Sequence, residues 1–125
     1  MVDTDILVDF FHNQDYAKKL IGRLAEEGKI HISILTITEL RTGFTPEQAE
    51  FLLPKLYKMV TILPITVDQA ELAGKFRYQY RIKGKILSTI DTLIAAATLS
   101  KNLLLITRNK KDFPMPEIKL YELQN

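Results

Sequence analysis

The stretch Ser88-Thr89-Ile90-Asp91-Thr92-Leu93-Ile94-Ala95-Ala96-Ala97-Thr98-Leu99-Ser100, followed by Leu103-Leu104-Leu105-Ile106-Thr107, carries two patterns in succession. Ser88 to Ser100 is rich in alanine and leucine, with Ile90, Leu93, Ile94 and Ala97 on one stripe, and predicts a helix. Leu103 to Thr107 is a short apolar run that predicts a buried strand. The same alternation extends through the rest of the chain. Strands separated by helices imply an α/β protein with a largely parallel sheet and helices on both faces.

Met1 to Asp3 reads as a very short strand that passes at once into a helix, with Thr4 or Asp5 as its N-cap. Residues 14–26 predict a helix, with Ala17, Leu20, Ile21 and Leu24 at helical spacing and Gly28 as its end. Ile30 to Ile34 alternates apolar with polar residues and predicts a strand. Thr36 to Arg41 opens a short helix, broken near Gly43. Thr45-Pro46-Glu47-Gln48 has helix-start chemistry: a Thr cap, Pro at the first helical position, and Gln three residues after the cap. The helix it opens is expected to kink or restart at Pro54. Thr61 to Thr66 predicts a strand that tolerates Pro64 only at an edge or an end. Val67 to about Arg81 predicts a helix, Gly84 a loop, and Ile118 to Leu123 a last strand.

At 125 residues the natural count is one domain, spanning 1–125, with room for a real core. Hydrophobic residues make up 46% and charged residues 26%, as in ordinary soluble globular proteins. The absence of cysteine excludes disulfides, thiolate metal sites and a Cys nucleophile. His12 and His31 are the two histidines; one closes the first helix, the other starts a strand, and both read as structural. A zinc site or a His-based triad has little to draw on. Any metal must therefore take carboxylate oxygens, which favours magnesium or manganese. The net charge of +2 is compatible with nucleic acid. Asp3 and Asp5 interrupt the place of a secretory signal, and no apolar run reaches the ~20 residues of a membrane span. A cytoplasmic protein without a membrane partner is expected.

Four acids stand at the edges of apolar segments: Asp3, Glu39, Asp91 and Asp112. Desolvating a lone carboxylate is costly, and several together repel unless a cation holds them. Each also has a bland reading. Asp3 can cap a helix, or lie at the carboxyl end of the first strand, where open parallel sheets place their sites. Glu39 follows Thr36 by three residues, as in a capping box. Asp91 falls in the first helical turn, favoured by the macrodipole, but shares a face of small side chains with Ala95 and Thr98. Asp112 reads locally as a solvated loop acid beside Lys110 and Lys111, and with Asn109 it can turn back over the strand ends.

Taken in order, Asp3-Thr4-Asp5-Ile6-Leu7-Val8-Asp9-Phe10, Ile37-Thr38-Glu39-Leu40, Ile90-Asp91-Thr92-Leu93-Ile94-Ala95-Ala96 and Leu105-Ile106-Thr107-Arg108-Asn109 through Asp112-Phe113 resemble a PIN-domain ribonuclease, specifically a VapC-type toxin of a toxin–antitoxin pair. Any one piece is weak; the ordered set spans the chain. The resemblance implies a three-layer α/β/α sandwich around a mostly parallel sheet, with the acids in one cleft. It implies a core set of Asp3, Glu39 and Asp91, a more variable fourth acid in Asp112 with Asn109 as a polar alternative, and magnesium or manganese as cofactor. Asp5 stands where family members often carry Asn, which leaves it as an extra ligand or a cap. Thr4 and Thr107 would supply hydroxyls that orient the carboxylates.

The implied reaction is endonucleolytic cleavage of RNA, with ions bound by carboxylates activating water and neutralising the phosphate. Lys75, Arg77, Arg81, Lys83 and Lys85, with Tyr78 and Tyr80, precede the Asp91 helix and suit phosphate contact and stacking. Most of these charges also read as a solvated helix face. Arg108 is the best single phosphate-binding candidate, from its place beside the presumed site. Phe44, Phe51, Leu52, Leu53, Leu56 and Tyr57 carry more apolar surface than one helix face can hide. Most of it is expected to be core, with some left to form a docking groove or a dimer contact; the resemblance implies a VapB-like antitoxin and a second copy of the chain as partners, without assigning either to a surface.

Other classes compete. A receiver domain needs a phosphoacceptor Asp closing a middle strand, and Thr61-Ile62-Leu63-Pro64-Ile65-Thr66 has none. A haloacid-dehalogenase-like phosphatase can use Asp3-Thr4-Asp5 as its nucleophile motif, but wants Thr or Val where Leu7 stands. A PIN-like fold kept as a non-catalytic interaction module is the third.

Overall fold

The structure, a computed structural model, describes residues 1–123. Its order is α1 (Thr4–Phe11), α2 (Asp15–Glu26), β1 (His31–Ser33), α3 (Ile34–Gly43), α4 (Pro46–Tyr57), β2 (Thr61–Leu63), α5 (Val67–Arg81), α6 (Thr89–Ser100) and a 3₁₀ turn, Lys110–Asp112. β1 and β2 pair in parallel, with His31 opposite Thr61. Val2 N–H donates to the His31 carbonyl at 2.8 Å, which sets the first residues beside β1. Val2 then pairs in parallel with Ile106, and Leu105 with Leu120. The segments 61–63, 31–33, 1–3, 105–107 and 119–121 therefore lie side by side in that order, parallel at the three paired contacts 61–63/31–33, 2/106 and 105/120.

Alternation along these segments sends side chains to opposite faces. Val2, Ile32 and Ile106 pack with Ile6, Leu7, Leu20, Ile21, Leu40 and Leu56, from α1 to α4. Met1 and Leu105 pack with Phe76, Ile94, Ala95 and Ala97 from α5 and α6. Two cores on two faces make the three layers that the resemblance implies. α6 is buried over most of its circumference, from Ile94 to Thr98, and the Thr98 hydroxyl is satisfied by the Ile94 carbonyl at 2.7 Å.

Several boundaries differ from the sequence reading, each for a physical reason. α1 is capped by Asp3, whose Oδ1 accepts from Thr4 N–H, rather than by Thr4 or Asp5. β1 stops at Ser33, because Ser33 caps α3 and the helix begins at Ile34. Thr36 is thus inside the helix, and the capping box with Glu39 does not form. β2 ends at Leu63, since Pro64 has no N–H for the ladder and Thr66 is already the cap of α5, boxed with Gln69. α4 has the expected Thr45–Gln48 capping box but runs unbroken through Pro54. The strand read over 118–123 makes its parallel bridge at Leu120. His12 closes α1 and His31 opens β1, as read.

Candidate active site

Asp3 stands where the first sheet segment turns into α1, with 7% of its surface exposed. Its Oδ1 accepts from Thr4 N–H at 2.9 Å and its Oδ2 from the Thr107 hydroxyl at 2.8 Å. Burial pushes the carboxyl up to about 6, and the neighbouring Asp5 charge adds to the rise. The Thr107 and Thr4 hydrogen bonds pull the other way, and Glu39 raises it slightly further. A buried acid among acids is the consequence of placing the strand end here.

Asp5 is held by the loop that follows the Ile106 strand. Its Oδ2 accepts from Arg108 N–H at 2.8 Å and from the Asn109 amide at 3.3 Å, while Oδ1 accepts from Ile6 N–H at 2.8 Å. Burial still holds its carboxyl above the ordinary range. Glu39, on α3, accepts from the Thr4 hydroxyl at 2.6 Å. Asp91 lies in the first turn of α6, its N–H bonded to the Ser88 cap at 3.0 Å. Desolvation raises its carboxyl, the Ser88 hydrogen bond opposes this, and the charges of Asp112 and Asp5 raise it further. Asp112 closes the 3₁₀ turn.

All four predicted acids line one open cleft of about 340 Å³, together with Thr4, Asp5, Val8, Arg108 and Asn109. Thr107, buried beneath, bonds Asp3 and accepts from Asn109 N–H at 3.0 Å. The cleft lies at the carboxyl ends of the parallel segments, where open α/β sheets place ligands. Among the described residues, no three acidic or histidine side chains stand close enough, as placed, to close on one ion. The donor set nonetheless suits a hydrated hard cation. Every acidic donor is a carboxylate oxygen, and magnesium takes one or two carboxylates directly while keeping water in the rest of its shell. Burial first, and then the charges of neighbouring acids, raise Asp3 and Asp91, and a bound cation would offset both.

Sequence reasoning missed Asp9 and Tyr16. Asp9 Oδ2 lies 2.8 Å from Arg108 Nε, while Asp5 Oδ2 is 3.9 Å from the same atom. The Tyr16 hydroxyl donates to Asp9. The signal was present: Asp5 and Asp9 are one helical turn apart, and like charges at that spacing repel unless a cation lies between them.

A three-layer α/β/α protein with an acid-lined cleft at the carboxyl edge of its sheet is the class that this geometry defines. Within that class, the PIN domain family matches residues 1–116, and the chain belongs to it. Ribonuclease VapC1 of Methanocaldococcus jannaschii is 30% identical over 113 residues, covering 90% of this chain and 77% of that protein. Among solved structures, VapBC2 from Rickettsia felis bound to a promoter DNA fragment superposes with a TM-score of 0.84 at 26% identity, covering 97% of this chain and 96% of the other. A toxin–antitoxin complex from Klebsiella pneumoniae gives a TM-score of 0.74 at 31% identity, covering 97% of each chain. The receiver and dehalogenase-like readings find no support beside this match.

Proposed function

We propose that this protein is a magnesium- or manganese-dependent endoribonuclease, the toxin of a type II toxin–antitoxin pair, with 1–125 acting as one domain. The observation that carries the reading is the convergence of Asp3, Glu39, Asp91 and Asp112, from four separate elements, on one cleft. Relatives named ribonucleases and neighbours solved as toxin–antitoxin complexes support the same reading.

When bound, magnesium or manganese would neutralise charge on the phosphate and lower the pKa of the attacking water, easing its deprotonation. Asp3, Glu39, Asp91 and Asp112 would hold it. The other residues orient these acids. Thr107 fixes Asp3, Thr4 fixes Glu39, and the Arg108–Asn109 backbone and amide fix Asp5, so the carboxylates are set before substrate arrives. Arg108 offers its guanidinium to a phosphate at the same cleft.

The RNA strand would continue along the basic segment before α6. Lys85 Nζ donates to the Lys111 carbonyl at 3.1 Å, which brings that segment beside the turn bearing Asp112. Tyr78 is 57% exposed with Arg81 over its ring, a surface for stacking. Tyr80 is used structurally, its hydroxyl donating to the Pro114 carbonyl at 3.0 Å, and Arg77 is tied to the Leu87 carbonyl. On α4, Phe51 and Tyr57 are exposed and suit a VapB-like antitoxin or a second copy of the chain. No helix among the described residues is long and apolar enough to cross a membrane, and a cytoplasmic place fits RNA as substrate.

The test is incubation of the purified protein with single-stranded RNA, with magnesium or with chelator. Magnesium-dependent internal cleavage that Asp91→Asn abolishes is the expected result. No cleavage either with magnesium or in a parallel incubation with manganese, or cleavage that survives Asp91→Asn and Asp3→Asn, would overturn the reading in favour of an interaction module.

A further inference from the structure

We propose that Asp9 and Tyr16 are positioning residues that hold the Arg108 guanidinium at the lip of the acidic cleft, so that its outer edge meets a phosphate of bound RNA. The inference rests on the nuclease reading above and deepens it.

A cleft of carboxylates repels a phosphodiester. Among the described residues lining it, Arg108 is the sole cation. Its side chain is 51% exposed, and a half-exposed arginine left alone samples many rotamers, so little of its charge would be aimed. Two contacts remove that freedom. Asp9 Oδ2 sits 2.8 Å from Arg108 Nε, and Asp9 is itself only 15% exposed on α1. The Tyr16 hydroxyl, from α2, donates to that same Oδ2. Asp9 is therefore fixed from two helices before it fixes the arginine.

Both carboxylate contacts of Arg108, to Asp9 and to Asp5 at 3.9 Å, are made through Nε. The two terminal amino groups form the planar fork that matches two phosphate oxygens. A lysine cannot do both jobs, since its single ammonium would either pair with Asp9 or reach the substrate. The competing view is that Arg108 only neutralises Asp5 and Asp9. The two views differ in sign. If neutralisation is the whole role, removing the Asp9 charge frees a cation and tightens RNA binding. If Asp9 positions the guanidinium, removing it weakens binding.

The experiment measures binding of a labelled single-stranded oligoribonucleotide by fluorescence anisotropy, with magnesium, on the cleavage-deficient Asp91→Asn protein, across about 50 to 200 mM salt. Arg108→Ala is expected to reduce the slope of log affinity against log salt by about 0.7, the value of one phosphate on a single strand. Asp9→Asn and Tyr16→Phe should each weaken binding about threefold and lower the slope in the same direction. Neither should add a loss on the Arg108→Ala background, and Arg108→Lys should not restore the slope. Tyr16→Phe removes one hydroxyl and keeps the ring, so it reports even if Asp9→Asn folds poorly. Tighter binding in Asp9→Asn, an unchanged slope in both variants, or losses that add to Arg108→Ala would each overturn the proposal. Failure of the otherwise unaltered protein to cut RNA in magnesium would sink the nuclease reading instead, a result seen without any of these variants.

Discussion

Replacing Asp3 by Asn should stabilise the metal-free protein while abolishing RNA cleavage. Asp3 is nearly fully buried, and its carboxyl is raised from 3.8 to about 6, first by desolvation and then by Asp5. The folded state thus holds the proton more tightly than the unfolded chain. Well below pH 3.8 both states are protonated and Asp3 contributes nothing. As pH climbs through the window from 3.8 to about 6 stability falls, and above it the ionised carboxylate costs about 3 kcal/mol in full. Asp5 and Asp91, raised for the same first cause, act with the same sign. Asn keeps an acceptor for Thr4 N–H, and its amide can donate to the Thr107 oxygen, so most of that cost is relieved. The expected gain is about 1 to 3 kcal/mol near neutral pH, or about 4–10 °C in melting temperature for a domain of this size. The assay is thermal or urea unfolding in chelator at several pH values, repeated with magnesium. Wild type and variant should converge toward pH 4, and magnesium at about a hundred times its dissociation constant should raise wild type alone by about 2.7 kcal/mol. An Asp3→Asn protein less stable than wild type in chelator at neutral pH would refute the claim that repulsion and desolvation, not hydrogen bonding, dominate at this position.

Thr107→Val should lower cleavage about 10–100-fold with a modest loss of stability, since the hydroxyl orients Asp3, reaches Asp5 at 3.5 Å and receives Asn109 N–H; paired turnover and melting measurements check both parts. Lys83→Ala with Lys85→Ala should lower the salt slope of RNA binding by about 1.4, while cleavage of a dinucleotide too short to reach those residues stays unchanged. Leu7→Ala, at a fully buried position of the α1–α4 core, should destabilise by about 2–5 kcal/mol in urea unfolding and leave metal-dependent cleavage intact at temperatures where the protein is folded.

The layers were legible because helical stripes and apolar runs are local. Ala17, Leu20, Ile21 and Leu24 are all buried on α2, as their spacing requires. Strand ends were less legible, because side-chain caps decide them. Ser33 and Thr66 look like ordinary polar residues of a strand, yet each stops one by accepting from the next helix's N–H groups. Glu39 was misplaced locally for the same reason: its partner is the Thr4 hydroxyl, 35 positions away, not the Thr36 box three residues back. The cleft itself was legible only as an ordered set of acids. Which hydroxyl, amide and guanidinium hold each one depends on contacts between α1 and the loop after Ile106, across about a hundred residues, and no local pattern encodes those.

For Asp3 and Asp91 the bland reading and the functional one need not be rivals. Asp3 is the N-cap of α1 and Asp91 lies in the first turn of α6, so two helix N-termini, each with partial positive charge, open onto the cleft. That is a physical reason why buried carboxylates can be tolerated there before any cation arrives. Glu39 has no such support, since it lies in the body of α3, and a hydroxyl from the neighbouring helix stands in its place. The acids should therefore differ when neutralised. Asp91→Asn keeps the bond from its backbone N–H to the Ser88 hydroxyl, and it relieves a charge that burial opposes first and that Asp112 and Asp5 oppose further. Glu39→Gln keeps an acceptor for Thr4 but weakens a charge-assisted hydrogen bond, the 2.6 Å contact from the Thr4 hydroxyl. In chelator, Asp91→Asn should consequently melt higher than Glu39→Gln, although both lose cleavage; equal or reversed melting temperatures would mean that charge repulsion in this cleft is not what the fold has to overcome.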